Sequence, residues 1–273
     1  MGPGPAGQSL GSQHPIATPA LARLRVGCVQ YLNSKPLIYG FGGPVIFDHP
    51  SGLARDLAAG KLDVALVPTF EALRSPHYTL AEGVGIACDG PVYSVFLAHR
   101  GPLTELRRVA LDPASLTSSH LLQVLLLEYH GVRPQWQDLP AFPLQAEAAL
   151  IIGNQAIDFR QQDREGYHIL DLGEEWKRCT GLPFVFAPWL LRAGLADAAG
   201  VAGDLRALKA HGVGHLEEII RAEPRDPAFT RRYLTRYIRF EVGDAEKAGI
   251  ERFRELLVKH GFIAEGGTAL RYA

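Results

Sequence analysis

The chain has 273 residues, 47% of them hydrophobic and 21% charged, with a formal net charge of -1. That balance is ordinary for a soluble globular protein, long enough for one large domain or two lobes with their own cores. The absence of any block of like charge excludes an extended nucleic-acid or anionic-membrane surface, and no apolar run reaches the ~18 residues that a membrane span needs.

Residues 1–22 are rich in Gly, Pro, Ser, Gln and Ala without apolar periodicity, and read as a disordered extension. They lack the basic and apolar regions of a signal peptide. The three cysteines, Cys28, Cys88 and Cys179, are odd in number and far apart, which points to reduced thiols in a cytoplasmic protein rather than a disulfide or metal set.

Residues 24–29 form a short apolar run that predicts a buried strand, ending in Tyr31-Leu32-Asn33-Ser34-Lys35-Pro36-Leu37. Pro36 suits the first turn of a helix over 36–39. A second strand is expected over 44–48, a helix from an N-cap at Ser51 to residue 59 with Gly60 as its stop, and a third strand over 62–67, broken at Pro68. This β-α-β-α-β opening predicts a parallel sheet with right-handed crossovers. A helix or turn over 69–73 precedes the stretch 83–99, read as strand, tight turn at Asp89-Gly90-Pro91, strand. Then follow a strand over 107–111 and a helix over 117–129 with Gly131 at its end. A strand over 148–152 leads to a helix opened by Gly153-Asn154. A brief strand at 169–172, a polar helix at 174–177 and a long apolar strand at 184–191 come next. Helices over 204–222, 227–238 and 245–260 close the chain. Two long apolar strands, 92–98 and 184–191, bracket the middle block. That arrangement predicts two α/β lobes with a ligand cleft between them, residues 23–98 plus 190–273 in one and 99–189 in the other.

Several residues are placed to carry chemistry. Asn33 and Ser34 stand at the carboxyl end of the first strand, where open α/β sheets bind ligands, although Asn-Ser also makes an ordinary Asx turn. Ser115-Leu-Thr-Ser-Ser119 opens an apolar helix, so the hydroxyls of Thr117, Ser118 and Ser119 lie beside free N–H groups. That is an anion seat, or simply a capped helix. Gly153-Asn154 repeats the pattern more weakly. Asp89-Gly90-Pro91-Val92-Tyr93-Ser94 sets a carboxylate and a hydroxyl at a tight turn, and Ser94, in an apolar strand, needs a partner or a cleft. No G-x-S-x-G elbow, P-loop or dinucleotide fingerprint is present. His211 and His215 have the i,i+4 spacing of a zinc pair without a Glu between them, and read as residues of a surface helix. No metal or cofactor is expected. What remains is a binding protein or an enzyme that works by positioning in a polar pocket.

The chain resembles the family of the futalosine route to menaquinone that dehydrates chorismate. The resemblance is carried by Arg25-Val-Gly27, Tyr31-Leu-Asn-Ser-Lys-Pro-Leu37, Gly60-Lys-Leu-Asp-Val-Ala65, Cys88-Asp-Gly-Pro-Val-Tyr-Ser94, Asp171-Leu-Gly-Glu-Glu-Trp176 and Thr180-Gly-Leu-Pro-Phe-Val-Phe-Ala187 with Trp189. It implies a two-lobed type II periplasmic-binding-protein-like fold with parallel-sheet cores, and a cytoplasmic hydro-lyase that turns chorismate into 3-[(1-carboxyvinyl)oxy]benzoate and water. Its partner would be that small molecule, with no nucleic acid and no membrane. Asn33 and Ser94 are then the expected catalytic residues, on the ring hydroxyl and a carboxylate or the leaving hydroxyl. Tyr31, Ser34, Pro68 and Thr69 join the expected substrate-binding set from one lobe, with Asp89 and Gly90 at the turn. Thr117, Ser118, Ser119, Gly153 and Asn154 join it from the other. None of these motifs offers an acidic or histidine base, so the substrate's own enolpyruvyl carboxylate is the expected proton acceptor. The family pattern has Gly-Asp where this chain has Gly153-Asn154, which puts an acidic role there in doubt. The sister enzyme that makes 1,4-dihydroxy-6-naphthoate shares the implied fold, as do solute-binding proteins and regulator effector domains. Tyr31-Leu-Asn33 stands where the sister enzyme has a different pattern.

Overall fold

The computed structural model describes residues 14–75, 77–113, 115–138, 146–162, 166–265 and 270–273. Strand β1 (Val26–Cys28) runs into a 3-10 turn at Leu32–Ser34 and the short helix α1 (Lys35–Ile38), with Pro36 in its first turn. There the missing proline N–H leaves no bond unmade. β2 (Val45–Phe47), α2 (Pro50–Ala58), β3 (Val64–Leu66) and α3 (Thr69–Arg74) follow. Ser51 is not the cap of α2. His49 takes that place and Pro50 the first helical position, because the fixed φ of proline is already helical. Gly60, at φ 69°, ends this segment as expected.

The chain continues through β4 (Thr79–Cys88), β5 (Val95–His99), β6 (Arg108–Leu111), α4 (Leu116–Tyr129), β7 (Gln135–Asp138) and β8 (Ala148–Ile152). Next come α5 (Gly153–Gln161), β9 (His168–Asp171), α6 (Leu172–Thr180) and β10 (Phe184–Leu191). The last part holds α7 (Ala198–Gly214), α8 (Leu216–Ala222), α9 (Pro227–Arg232), a π-helical turn at Tyr233–Tyr237, α10 (Asp244–Lys259) and β11 (Arg271–Tyr272). One sheet has the order β11-β4-β10-β3-β1-β2 and the other β7-β6-β8-β5-β9.

β4 and β5 therefore do not form a hairpin. They belong to different sheets, and Asp89–Ser94 is the first crossing between lobes. The second crossing is α6 with residues 181–183. The expected divisions at 98/99 and 189/190 cut through β5 and β10, since each strand pairs wholly within the lobe it has just entered. The cores are mixed rather than parallel for the same reason. β10 enters antiparallel to β3 and β4, and β5 enters antiparallel to β8 and β9. Trp176, Phe184 and Phe253 lock the second crossing edge-to-face, with centroids 5.2, 5.1 and 6.1 Å apart.

The amino-terminal expectation is corrected in part. Residues 1–13 lie outside the described residues, but 14–22 are tied down. The Ile16 N–H bonds Gly40 O at 3.0 Å, and the Ala20 and Leu21 N–H groups bond the Asp204 carboxylate at 2.8 and 2.9 Å. Leu21 is fully buried. The carboxyl-terminal helices also differ from expectation. α7 starts six residues earlier than 204, because Asp197 caps it by accepting from Gly200 N–H at 3.0 Å. It breaks from α8 at His215. Within α7, Gly212 lies so close to Pro36 that a Cβ there would stand 1.9 Å from its carbonyl oxygen, which lets α7 sit directly on α1. The strands β7 and β11 were not expected. The first is mostly exposed and the second is two residues long, so neither carries an apolar signal.

Candidate active site

The cleft between the two sheets measures ≈ 590 Å³ including its open mouth, within the range of small-molecule sites. The carboxyl ends of β1, β3 and β8 reach it through Val29, Val67 and Ile152, and β10 crosses its floor with Phe186 and Ala187. Three helices begin at its edge. Pro68 caps α3, Leu116, Thr117 and Ser118 form the first turn of α4, and Gly153 opens α5. Ser115, at the N-cap of α4, makes no capping bond with its side chain, so the free N–H groups of that turn are left for a ligand. Among the described residues that line the cleft, none is an Asp, Glu, His, Lys or Arg. The polar groups are hydroxyls, one amide and backbone.

Ser94 is held by a buried phenol, and Asn33 lines the same cleft. The Tyr233 hydroxyl donates to Ser94 Oγ at 2.7 Å. Asn33 Oδ1 is buried and has no hydrogen-bond partner among the described residues. A buried amide oxygen without a partner costs about 1–3 kcal/mol unless a ligand or water supplies a donor. Burial raises the Tyr233 pKa well above the tyrosine range, so the phenol remains a proton donor.

Ser94 is presented by a strained turn. Its N–H bonds Val92 O at 2.8 Å, closing a three-residue turn around Tyr93, which has φ 67°. Tyr93 is the only non-glycine residue with positive φ among the described residues. Such a conformation costs of order 1–3 kcal/mol and survives only where the surroundings impose it. Asp171 imposes it. This buried carboxylate caps α6 and accepts from Val92 N–H at 3.0 Å and Tyr93 N–H at 2.8 Å, while Arg160 bonds it at 3.1 Å and lies 4.2 Å over the Tyr93 ring.

Two contacts span the cleft. Asn154 Oδ1 accepts from Leu32 N–H at 3.1 Å and Asn154 Nδ2 donates to Gln30 O at 3.3 Å, joining α5 to the end of β1. Beside it, the Tyr31 ring lies against Gly153, where a Cβ would stand 2.8 Å from the ring and φ is 63°. Burial, followed by the Asp112 charge, pushes the Tyr31 phenol up to about 12.

Of the expected site residues, Tyr31, Asn33, Pro68, Ser94, Thr117, Ser118 and Gly153 all line this cleft. The others are held elsewhere or do not line it. Ser34 donates its hydroxyl to Val29 O at 2.6 Å, which shapes the turn. Thr69 donates to Val185 O at 2.6 Å and faces β10. Asp89 pairs with Lys177 at 2.6 Å and Arg239 at 3.1 Å, away from the cleft, and Gly90 supplies the turn at φ 111°. Ser119 is buried one position beyond the lining, and its Oγ has no partner among the described residues. Thr117 is shared, since its Oγ1 also accepts from Phe70 N–H at 3.0 Å. Tyr233, Val92 and Phe186 were missed. Tyr233 is one apolar-face residue of a predicted helix, and nothing in its neighbours marks it.

The zinc-like pair does not form a site either. His215 Nδ1 bonds the carbonyl of His211 at 2.8 Å. His215 does lie near His14 and Glu218, but none of these residues lines the cleft, and Glu218 already accepts from the Tyr39 hydroxyl at 2.6 Å. Cys28 and Cys88 are buried and Cys179 is half-buried, all as free thiols. Burial raises the Cys28 pKa to about 12.

A family described as menaquinone biosynthesis matches residues 24–259. A chorismate dehydratase of Thermus thermophilus is 31% identical over 261 residues, 85% of this chain and 94% of its own. One of Campylobacter jejuni is 29% identical over 159 residues, 58% of each chain. Among solved structures, AF1704 of Archaeoglobus fulgidus superposes with a TM-score of 0.72 at 16% identity, covering 88% of this chain and 98% of that one. The periplasmic aliphatic sulphonate binding protein SsuA of Escherichia coli gives 0.63 at 15% identity, covering 89% and 94%. The fold is thus the two-lobed, type II periplasmic-binding-protein-like α/β architecture. Among the described residues no helix is long and apolar enough to cross a membrane.

Proposed function

Because this chain belongs to the menaquinone-biosynthesis family, we propose that it is a chorismate dehydratase, a hydro-lyase that converts chorismate to 3-[(1-carboxyvinyl)oxy]benzoate and water in the cytoplasm. The observation that carries this reading is a Ser94 hydroxyl held by a buried phenol in the same cleft as the unbonded amide oxygen of Asn33 and the uncapped start of α4.

Chorismate is a dicarboxylate. The N–H groups of the first α4 turn, with the hydroxyls of Ser115 and Ser118, seat one carboxylate without a cation, as helix N-termini do. Tyr31 and Phe186 enclose the ring, and Asn33 and Ser94 face its reacting edge. The elimination breaks the C–H bond at the ether-bearing ring carbon and the C–O bond of the adjacent hydroxyl. The C–H electron pair becomes ring π-bonding, and the hydroxyl leaves with the released proton as water. The reaction is redox-neutral and gains aromaticity, so positioning supplies much of what the enzyme must add. With no acidic or histidine side chain among the described residues of the cleft wall, the enolpyruvyl carboxylate of the substrate takes the proton and passes it to the departing hydroxyl.

The test is incubation of the purified protein with chorismate, followed by ultraviolet absorbance and by mass identification of the product. Loss of chorismate with appearance of a species lighter by one water is the expected result. Chorismate that decays only at its uncatalysed rate would overturn the proposal and leave a binding protein of the same fold.

A further inference from the structure

Tyr233 opens a π-helical turn, in which Ile238 N–H bonds Tyr233 O at 3.2 Å, five residues back. The wide turn ends α9, and the tyrosine ring is fully buried with its hydroxyl on Ser94. Such π segments recur at functional sites. The ring stacks on Phe229 at 6.0 Å, and Phe229 and Tyr237 both pack on Tyr93, the strained residue before Ser94.

A hydroxyl has one proton, so the bonds around Tyr233 have a direction. The phenol is the stronger acid of the two hydroxyls, and it donates to Ser94 Oγ at 2.7 Å. With the phenol proton spent on Ser94, the serine proton has no acceptor among the described residues, and Asn33 Oδ1 beside it in the cleft is buried and unbonded.

We propose that Tyr233 is a positioning residue that fixes this polarity, so that the cleft presents the Ser94 proton as a donor and Asn33 Oδ1 as an acceptor to the reacting edge of the substrate. The Ser94 O–H then bonds a carboxylate oxygen or the departing hydroxyl, and Asn33 Oδ1 accepts from the ring hydroxyl and orients it. This assignment rests on the dehydratase reading for its substrate, but the hydrogen-bond direction is a property of the free protein.

The experiment therefore has two arms. In the kinetic arm, Tyr233→Phe keeps the ring and removes the hydroxyl. It is expected to lower kcat ~10-fold or more with KM and melting temperature little changed, and to add nothing further in a Ser94→Ala background. Asn33→Asp, which sets a carboxylate in place of the amide at the reacting edge, is expected to be slow like Asn33→Ala. In the second arm, the protein is labelled with ¹³C at the hydroxyl-bearing carbon of tyrosine, and the Tyr233 resonance is expected to move in Ser94→Ala without any ligand. Full turnover by Tyr233→Phe, losses that multiply in the double variant, or a Tyr233 resonance indifferent to Ser94→Ala would overturn the assignment. Failure of the wild-type protein to consume chorismate would instead sink the dehydratase reading, and the resonance would still decide the polarity.

Discussion

The carboxylate of Asp171 has two oxygens with separate duties, and Asp171→Asn divides them. Oδ1 accepts from Val92, Gly173 and Glu174 N–H at 3.0, 3.1 and 3.2 Å. Oδ2 accepts from Tyr93 N–H at 2.8 Å and Arg160 Nη1 at 3.1 Å. An asparagine keeps the first set, and with it the cap of α6. Its NH₂ replaces Oδ2 and faces two donors. Hydrogen bonds to a charged group are worth about 1.5–3 kcal/mol each, so two lost bonds come to ~3–6 kcal/mol. Arg160 is part-exposed and keeps its bond to Tyr93 O, which brings the expectation to ~3 kcal/mol. The Tyr93 turn holds strain of order 1–3 kcal/mol, comparable with what is removed, so it relaxes and takes Ser94 with it. Urea denaturation should show the ~3 kcal/mol loss, and chorismate turnover should show a lower kcat well below the denaturation midpoint. If stability falls but kcat holds, Asp171 only caps a helix and the argument that strain at Tyr93 aims Ser94 is wrong.

Asn154→Asp keeps the bond from Leu32 N–H and sets a second acceptor against Gln30 O. It should loosen the joint between lobes and raise KM by a few-fold, with scattering in solution showing a larger mean radius of gyration. Gly153→Ala puts a methyl 2.8 Å from the Tyr31 ring at φ 63°, so a loss of ~1–3 kcal/mol in stability and a weaker KM are expected from melting and kinetics. On the alkaline side, burial raises Cys28 to about 12 and Tyr31 to about 12 in the folded state. Between the ordinary values of these groups and about 12 the unfolded chain binds fewer protons than the native one. Stability should therefore be level below about pH 9 and fall from there upward, a trend that denaturation midpoints taken from pH 7 to 11 would reveal or refute.

Much of the scaffold was legible because its causes are local. β1, the apolar helix α4 with its serines and threonine, and β10 each carry their pattern within one segment, and their order implies two lobes. Asn33 and the start of α4 could be picked out because a strand's carboxyl end and a helix N-terminus expose polar backbone wherever they occur. Hydroxyl direction is not local. Ser34, Thr69 and Ser118 are indistinguishable as residue types, yet Ser34 turns inward to Val29 O, Thr69 to Val185 O, and only Ser118 of the three lines the cleft. The same limit explains the false hairpin at Asp89-Gly90-Pro91. The turn chemistry is identical whether the next strand pairs back or departs for another sheet, and what decided it was Asp171, distant in sequence, taking the N–H groups of Val92 and Tyr93. Sequence alone thus determined which segments fold and which polar groups stand at their ends. The tertiary structure alone decided which of those groups share a cleft, because that depends on partners such as Tyr233 and Asp171 that no local pattern connects to Ser94.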